Sequence, residues 1–112
     1  MAYNYGYKDS GTITTTGVKI EDFKLAQNCR YTIYQVTVVA TIVTCTVALQ
    51  GRAAPDGEWV TMDTIVQTEL SALTPGGTFA AIVQSFPEMR INVTTLTGGG
   101  SQSLRITANQ LP

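Results

Sequence analysis

The sequence predicts an all-β chain: a single antiparallel β-sandwich of jelly-roll type, carrying an extended N-terminal arm. Three observations predict it. Thr is the most frequent residue, Val and Ile are common, and all three favour the pleated backbone. No segment sustains a helical stripe of apolar residues over three turns. Short alternating runs are instead separated by Gly- and Pro-bearing turns, the pattern of a sandwich or barrel.

Taken in order, residues 1–9 read as the arm and residues 10–112 as the sandwich. Within the arm Tyr3, Tyr5 and Tyr7 alternate with small or polar residues, so an extended backbone places three phenol rings on one side. Gly11 to Thr16 reads as a first strand. Glu21 to Asn28 is the one helix candidate, and Thr68 to Leu73 can make a single turn at most. Tyr31 to Ala40 is a strand with Tyr34, Val36, Val38 and Ala40 on one face. Val43, Cys45, Val47, Leu49 and Gly51 then share a face in the opposite phase, which requires a turn or bend at Thr41-Ile42.

Ala54-Pro55-Asp56-Gly57 is a turn in which Pro presets φ and Asp can bond its own backbone. Glu58 to Asp63 follows as the returning strand. Leu73-Thr74-Pro75-Gly76-Gly77 is a second turn, leading into a strand from Thr78 to Phe86. Pro87 marks an edge or break before Met89 to Thr95, where Ile91 and Val93 share a face. Gly98-Gly99-Gly100-Ser101 reads as a hairpin tip, and Ser103 to Asn109 closes the domain with Leu104, Ile106 and Ala108 inward.

Bulk properties narrow the function. With 112 residues the chain makes one domain, and a chain of this size buries roughly two-thirds of its unfolded surface. Charged residues are only 13% of it against 44% hydrophobic, which leaves much of the surface to Thr, Ser, Gln, Asn and Gly. A surface so poor in charge is weakly protected against association. Seven basic and eight acidic residues are spread without a basic run, so no nucleic-acid partner is expected. Val36 to Leu49, the longest apolar stretch, is too short and too rich in Thr to cross a membrane. Met1-Ala2-Tyr3-Asn4-Tyr5 shows neither the charged nor the apolar region of a signal peptide, so synthesis in a cytoplasm is expected.

Reaction chemistry is scarce. The chain has no His, which removes Ser/His/Asp and Cys/His nucleophilic systems and the commonest metal ligand. Cys29 and Cys45 cannot complete a zinc site by themselves. They read as small buried side chains, with a disulfide as the alternative. The Gly98-Gly99-Gly100 run lies between strands, with no helix N-terminus to hold a phosphate. Asp56 and Glu58 read as a solvated tip rather than a glycosidase pair or a calcium site. Asn92-Val93-Thr94 matches a glycosylation sequon, read as accidental. Neither a catalytic residue, a metal nor a cofactor is expected, and the chain is not read as an enzyme. Trp59, just after the turn, reads as a ring closing one end of the core; the alternative is a glycan contact made with Asp56.

The stretch from Val47 to Thr64, with Gly51-Arg52-Ala53-Ala54-Pro55-Asp56-Gly57-Glu58-Trp59 at its centre, resembles a pattern of small phage virion β-sandwich proteins. In that pattern a strand leads through an Asp-Gly-x-x-Trp-like turn into its return. Phe86 to Thr94, the Gly-rich tip and Ser103-Leu104-Arg105-Ile106-Thr107 are similar to the last two strands of such domains. The same hairpin pattern is found in discoidin-like carbohydrate-binding sandwiches, and Arg52-Ala53-Ala54 departs from the usual small polar step.

The resemblance implies a jelly-roll accessory protein in the virion, foremost a capsid decoration or cement protein binding the major capsid protein as a homo-oligomer. Tyr3, Tyr5 and Tyr7 would serve as partner contacts, since Tyr gives large contact area at low entropic cost. The alternatives are a tail or baseplate component, or a glycan-binding module using Trp59 and the Asp56-Gly57 hairpin.

Overall fold

The computed structural model describes residues 7–24 and 29–112, without the side chains of Asp22 and Lys24. Eight strands run in chain order: β1 (Lys8–Ile13), β2 (Gly17–Lys24), β3 (Tyr31–Ala40), β4 (Thr44–Arg52), β5 (Val60–Val66), β6 (Thr78–Gln84), β7 (Glu88–Thr97) and β8 (Ser103–Leu111). A 3-10 turn over Gln67–Glu69 follows β5, where the side chain of Glu69 accepts the Val66 N–H at 3.0 Å. That turn starts one residue before the single turn allowed for Thr68 to Leu73 and stops at Glu69.

The strands form two four-stranded antiparallel sheets, ordered β1-β8-β3-β6 and β2-β7-β4-β5. The first strand pairs with the eighth, the second with the seventh, the third with the sixth and the fourth with the fifth. This nesting is the jelly roll, as if one long hairpin had been wrapped around a barrel. Of the sequential pairs only β4 and β5 are hydrogen-bonded neighbours, joined by the turn in which the Gly57 N–H donates to Ala54 O at 2.9 Å. Every other link crosses from one sheet to the other.

Alternation supplies the core. Tyr34, Val36 and Val38 from β3 and Leu104, Ile106 and Ala108 from β8 meet Cys45, Val47, Leu49, Met89, Ile91 and Val93 of the facing sheet, all fully or almost fully buried. The phase switch at Thr41-Ile42 is the crossing between β3 and β4; Ile42 is buried and Val43 is exposed. Polar ties span the layers: the Tyr34 hydroxyl donates to the Asp63 carboxylate at 2.6 Å, and the Thr32 hydroxyl to the Met89 sulfur at 3.2 Å. Burial, then that carboxylate, push the Tyr34 phenol well above its ordinary range.

Four expectations need correction. The first strand begins at Lys8 rather than Gly11, so Lys8 and Asp9 belong to the sheet, while Thr14 to Thr16 form a crossing that ends at Gly17, with φ of 120°. Glu21 to Lys24, read as the start of a helix, is strand; residues 25–28 lie outside the described residues. Ile20 and Phe23, three apart, both point inward because the β2·β7 pairing shifts register between them. The return after Gly57 begins at Val60 and runs to Val66. Gly98-Gly99-Gly100 is no hairpin tip but a crossing from β7 to β8, with Gly100 at φ of 98°.

Candidate functional site

The two sheets turn different outer faces to solvent. On the outer face of β2-β7-β4-β5, register places Arg52 opposite Glu88 and Gln50 opposite Arg90 and Thr61. The Arg52 Nε donates to Glu88 at 2.9 Å, the Arg90 Nε to Gln50 at 2.7 Å, and the Gln50 amide to Thr61 at 3.2 Å. Both guanidinium groups lie over the Trp59 ring, 4.3 and 4.5 Å from its centroid. Trp59 therefore neither plugs the core nor stands free: it is half-buried on the outside of its own sheet, held by cation–π contact. Asp56 is exposed at the turn.

The outer face of β1-β8-β3-β6 is of another kind. Tyr7, immediately before β1, is 46% exposed; Tyr31 on β3 is 42% exposed and Ile82 on β6 61%. Ile33 pairs with both Ile82 and Asn109, so it lies between them on this face. Tyr7, Ile33, Gln35, Thr107, Ala108 and Asn109 line a depression of about 150 Å³. Around it stand Thr37, Ala80 and Gln84, none of them charged. The charges described on this face are Asp9 and Arg105, which pair with each other. The Arg105 guanidinium, helped by the Gly11 N–H at 2.9 Å, holds the Asp9 carboxyl well below the usual carboxylate range.

Of the three arm tyrosines Tyr7 is described, and its hydroxyl donates to Asp9 at 3.4 Å; Tyr3 and Tyr5 lie outside the described residues. Sequence reasoning missed Tyr31, Ile33 and Ile82. Their signal was present: Tyr31 to Val39 and Phe79 to Val83 are apolar in both phases of the alternation, more than one buried face requires. Cys29 and Cys45 are free thiols, both buried, and burial pushes the Cys45 thiol up to about 11, with Glu69 adding to the effect. Asn92 of the sequon lies within β7, a strand paired on both sides, rather than in a loop.

Comparison of the chain with family models, with curated proteins and with solved structures gives no match.

Proposed function

We propose that this domain is a virion accessory protein of the capsid-decoration type, docking on the major capsid protein through the outer face of β1-β8-β3-β6. One observation carries the reading: Tyr7, Tyr31 and Ile82 are strongly exposed on a sheet face whose described charges are cancelled within one pair. Aromatic residues enriched and charges depleted are the composition of an interface core. The jelly-roll topology supports it by analogy, being a fold common among viral capsid and lectin domains. Repeated by the symmetry of a shell, contacts that are weak singly hold through avidity. A tail or baseplate position uses the same chemistry at fewer copies.

The experiment uses particles of the phage proposed to encode the chain, prepared without this protein, to which the purified chain is added before sedimentation. Saturable binding on the order of a hundred copies per particle is expected. The double variant Tyr7→Ser/Tyr31→Ser should fold as the wild type does and lose most of that binding. Removal of residues 1–6, with β1 left intact, measures the share of the arm. Binding of the double variant at wild-type level removes this face from the account, and no binding by the wild type overturns the reading.

A further inference from the structure

Two sandwiched sheets have four edge strands, and three of these four carry devices that discourage pairing with another strand. β1 bears Lys8 and Asp9 and shifts register between Asp9 and Thr12, where Gly11 has φ of 66° and the Ser10 hydroxyl takes the Ile106 N–H. β2 bears Lys19 and Glu21 and shifts register twice. β5 bears Asp63 and its pairing with β4 shifts between Leu49 and Gln50. β6, Thr-Phe-Ala-Ala-Ile-Val-Gln, has no charge, no Pro and no register shift.

The groups β6 offers follow from its ladder. The Ser85 N–H donates to Arg30 O at 2.8 Å, and the Val38 N–H to Gly77 O at 2.7 Å, at the two ends of the β3·β6 pairing. Bonded pairs in an antiparallel ladder recur at every second residue. Phe79, Ala81 and Val83 therefore turn their main-chain groups toward β3, and Thr78, Ala80, Ile82 and Gln84 turn theirs outward. Thr78 is already engaged: its N–H donates to the Ser71 hydroxyl and its carbonyl accepts the Ser71 N–H, each at 3.1 Å. Ala80, Ile82 and Gln84 remain without a main-chain partner among the described residues.

From this we infer that a second copy of the chain pairs with β6, antiparallel, about a two-fold axis at Ile82. That axis sets Ile82 against Ile82 of the second copy and Ala80 against its Gln84, so all three free residues are used and about six main-chain hydrogen bonds form. An axis at Ala81 would set Gln84 against Thr78, whose groups Ser71 holds. The strand opposes itself without like charges, and its most exposed side chain, Ile82, meets its own copy across the axis. The two first sheets become one eight-stranded sheet, and the two Tyr7-Tyr31-Ile82 faces lie side by side.

This deepens the repeated-copy reading above, yet its test contains no particle, so the two succeed or fail separately. Sedimentation velocity of the full chain up to on the order of 100 µM should show a monomer–dimer equilibrium. Ile82→Lys sets two ammonium groups across the axis and should weaken the dimer at least about tenfold with unchanged thermal unfolding of the monomer. Opposed Cα atoms of a bonded pair lie about 5.5 Å apart, within disulfide reach. Ile82→Cys should therefore cross-link to covalent dimer on mild oxidation, while Val43→Cys, exposed elsewhere, should not. The cysteine pair decides the matter if Ile82→Lys fails to fold. A wild type monomeric throughout, a dimer untouched by Ile82→Lys, or Ile82→Cys that stays monomeric overturns the inference.

Discussion

The two outer faces of this sandwich are built on the same backbone pattern and solve opposite problems. On β2-β7-β4-β5 the long polar side chains are spent on one another: Arg52 on Glu88, Arg90 on Gln50, and both arginines on Trp59. On β1-β8-β3-β6 apolar side chains stand in solvent among Gln, Thr and Asn, with one exposed ion pair near the rim. The first face is internally satisfied and supports its sheet. The second is tied across its strands by Gln35 and Thr37 to Thr78 and by Arg105 to Asp9, and leaves Tyr31 and Ile82 exposed. What separates the two is that the first binds its ring and guanidinium groups to one another, whereas the second leaves Tyr31 and Ile82 in solvent.

That contrast can be broken by substitution. The largest effect is expected at Glu88, 5% exposed beneath Arg52: Glu88→Ala removes the buried carboxylate to which the Arg52 Nε donates and should cost about 3 kcal/mol in urea unfolding. A loss below about 1 kcal/mol would mean the network does not support the sheet. Tyr34→Phe, which removes the hydroxyl that bonds Asp63 across the layers, should cost about 2 kcal/mol and serves as a reference blind to either face.

The same tie gives a pH signature with a definite sign. A phenol whose folded pKa is raised keeps its full contribution below the free value of about 10 and loses it as pH climbs above that. Cys45 acts likewise from its ordinary 9.0 to about 11. Wild-type stability should therefore decline from about pH 9 upward, and Tyr34→Phe should flatten the part above about pH 10. An unchanged alkaline slope in the variant would remove Tyr34 as its cause.

Smaller still, Trp59→Ala should cost about 1.5 kcal/mol through lost contact with the two guanidinium groups. Tyr31→Ser, on the opposite face, should shift stability by no more than about 0.5 kcal/mol while reducing association. Equal costs for Trp59→Ala and Tyr31→Ser would erase the distinction between the faces.

Much of the fold was legible because alternation and turn chemistry are local. Tyr34, Val36 and Val38, the phase switch at Thr41-Ile42 and the Ala54 to Gly57 turn all follow from neighbours in sequence. What failed was either reset by a bulge or decided at long range. The i, i+3 spacing of Ile20 and Phe23 imitates a helix because register shifts let both face the core. Nothing in Gly98 to Ser101 says whether the strand that follows pairs with its predecessor, and β8 instead lies between β1 and β3. The candidate face was half legible: Tyr7 was singled out, but Tyr31 and Ile82, far apart in sequence, join it only through the β8·β3·β6 register.

The nested pairing has a consequence for how the chain comes together. β8 follows every other strand in sequence yet sits in the interior of its sheet, with β1 on one side and β3 on the other. Until it is released from the ribosome, those two strands have unpaired main-chain flanks facing each other and nothing between them. The hairpin at Pro55 can close early, since its loop is short, whereas β8 must be inserted late and against the largest loop-closure entropy in the molecule. During that interval the nascent domain is most exposed to intruding strands from other chains, and the speed of a single insertion governs how much of it survives to assemble.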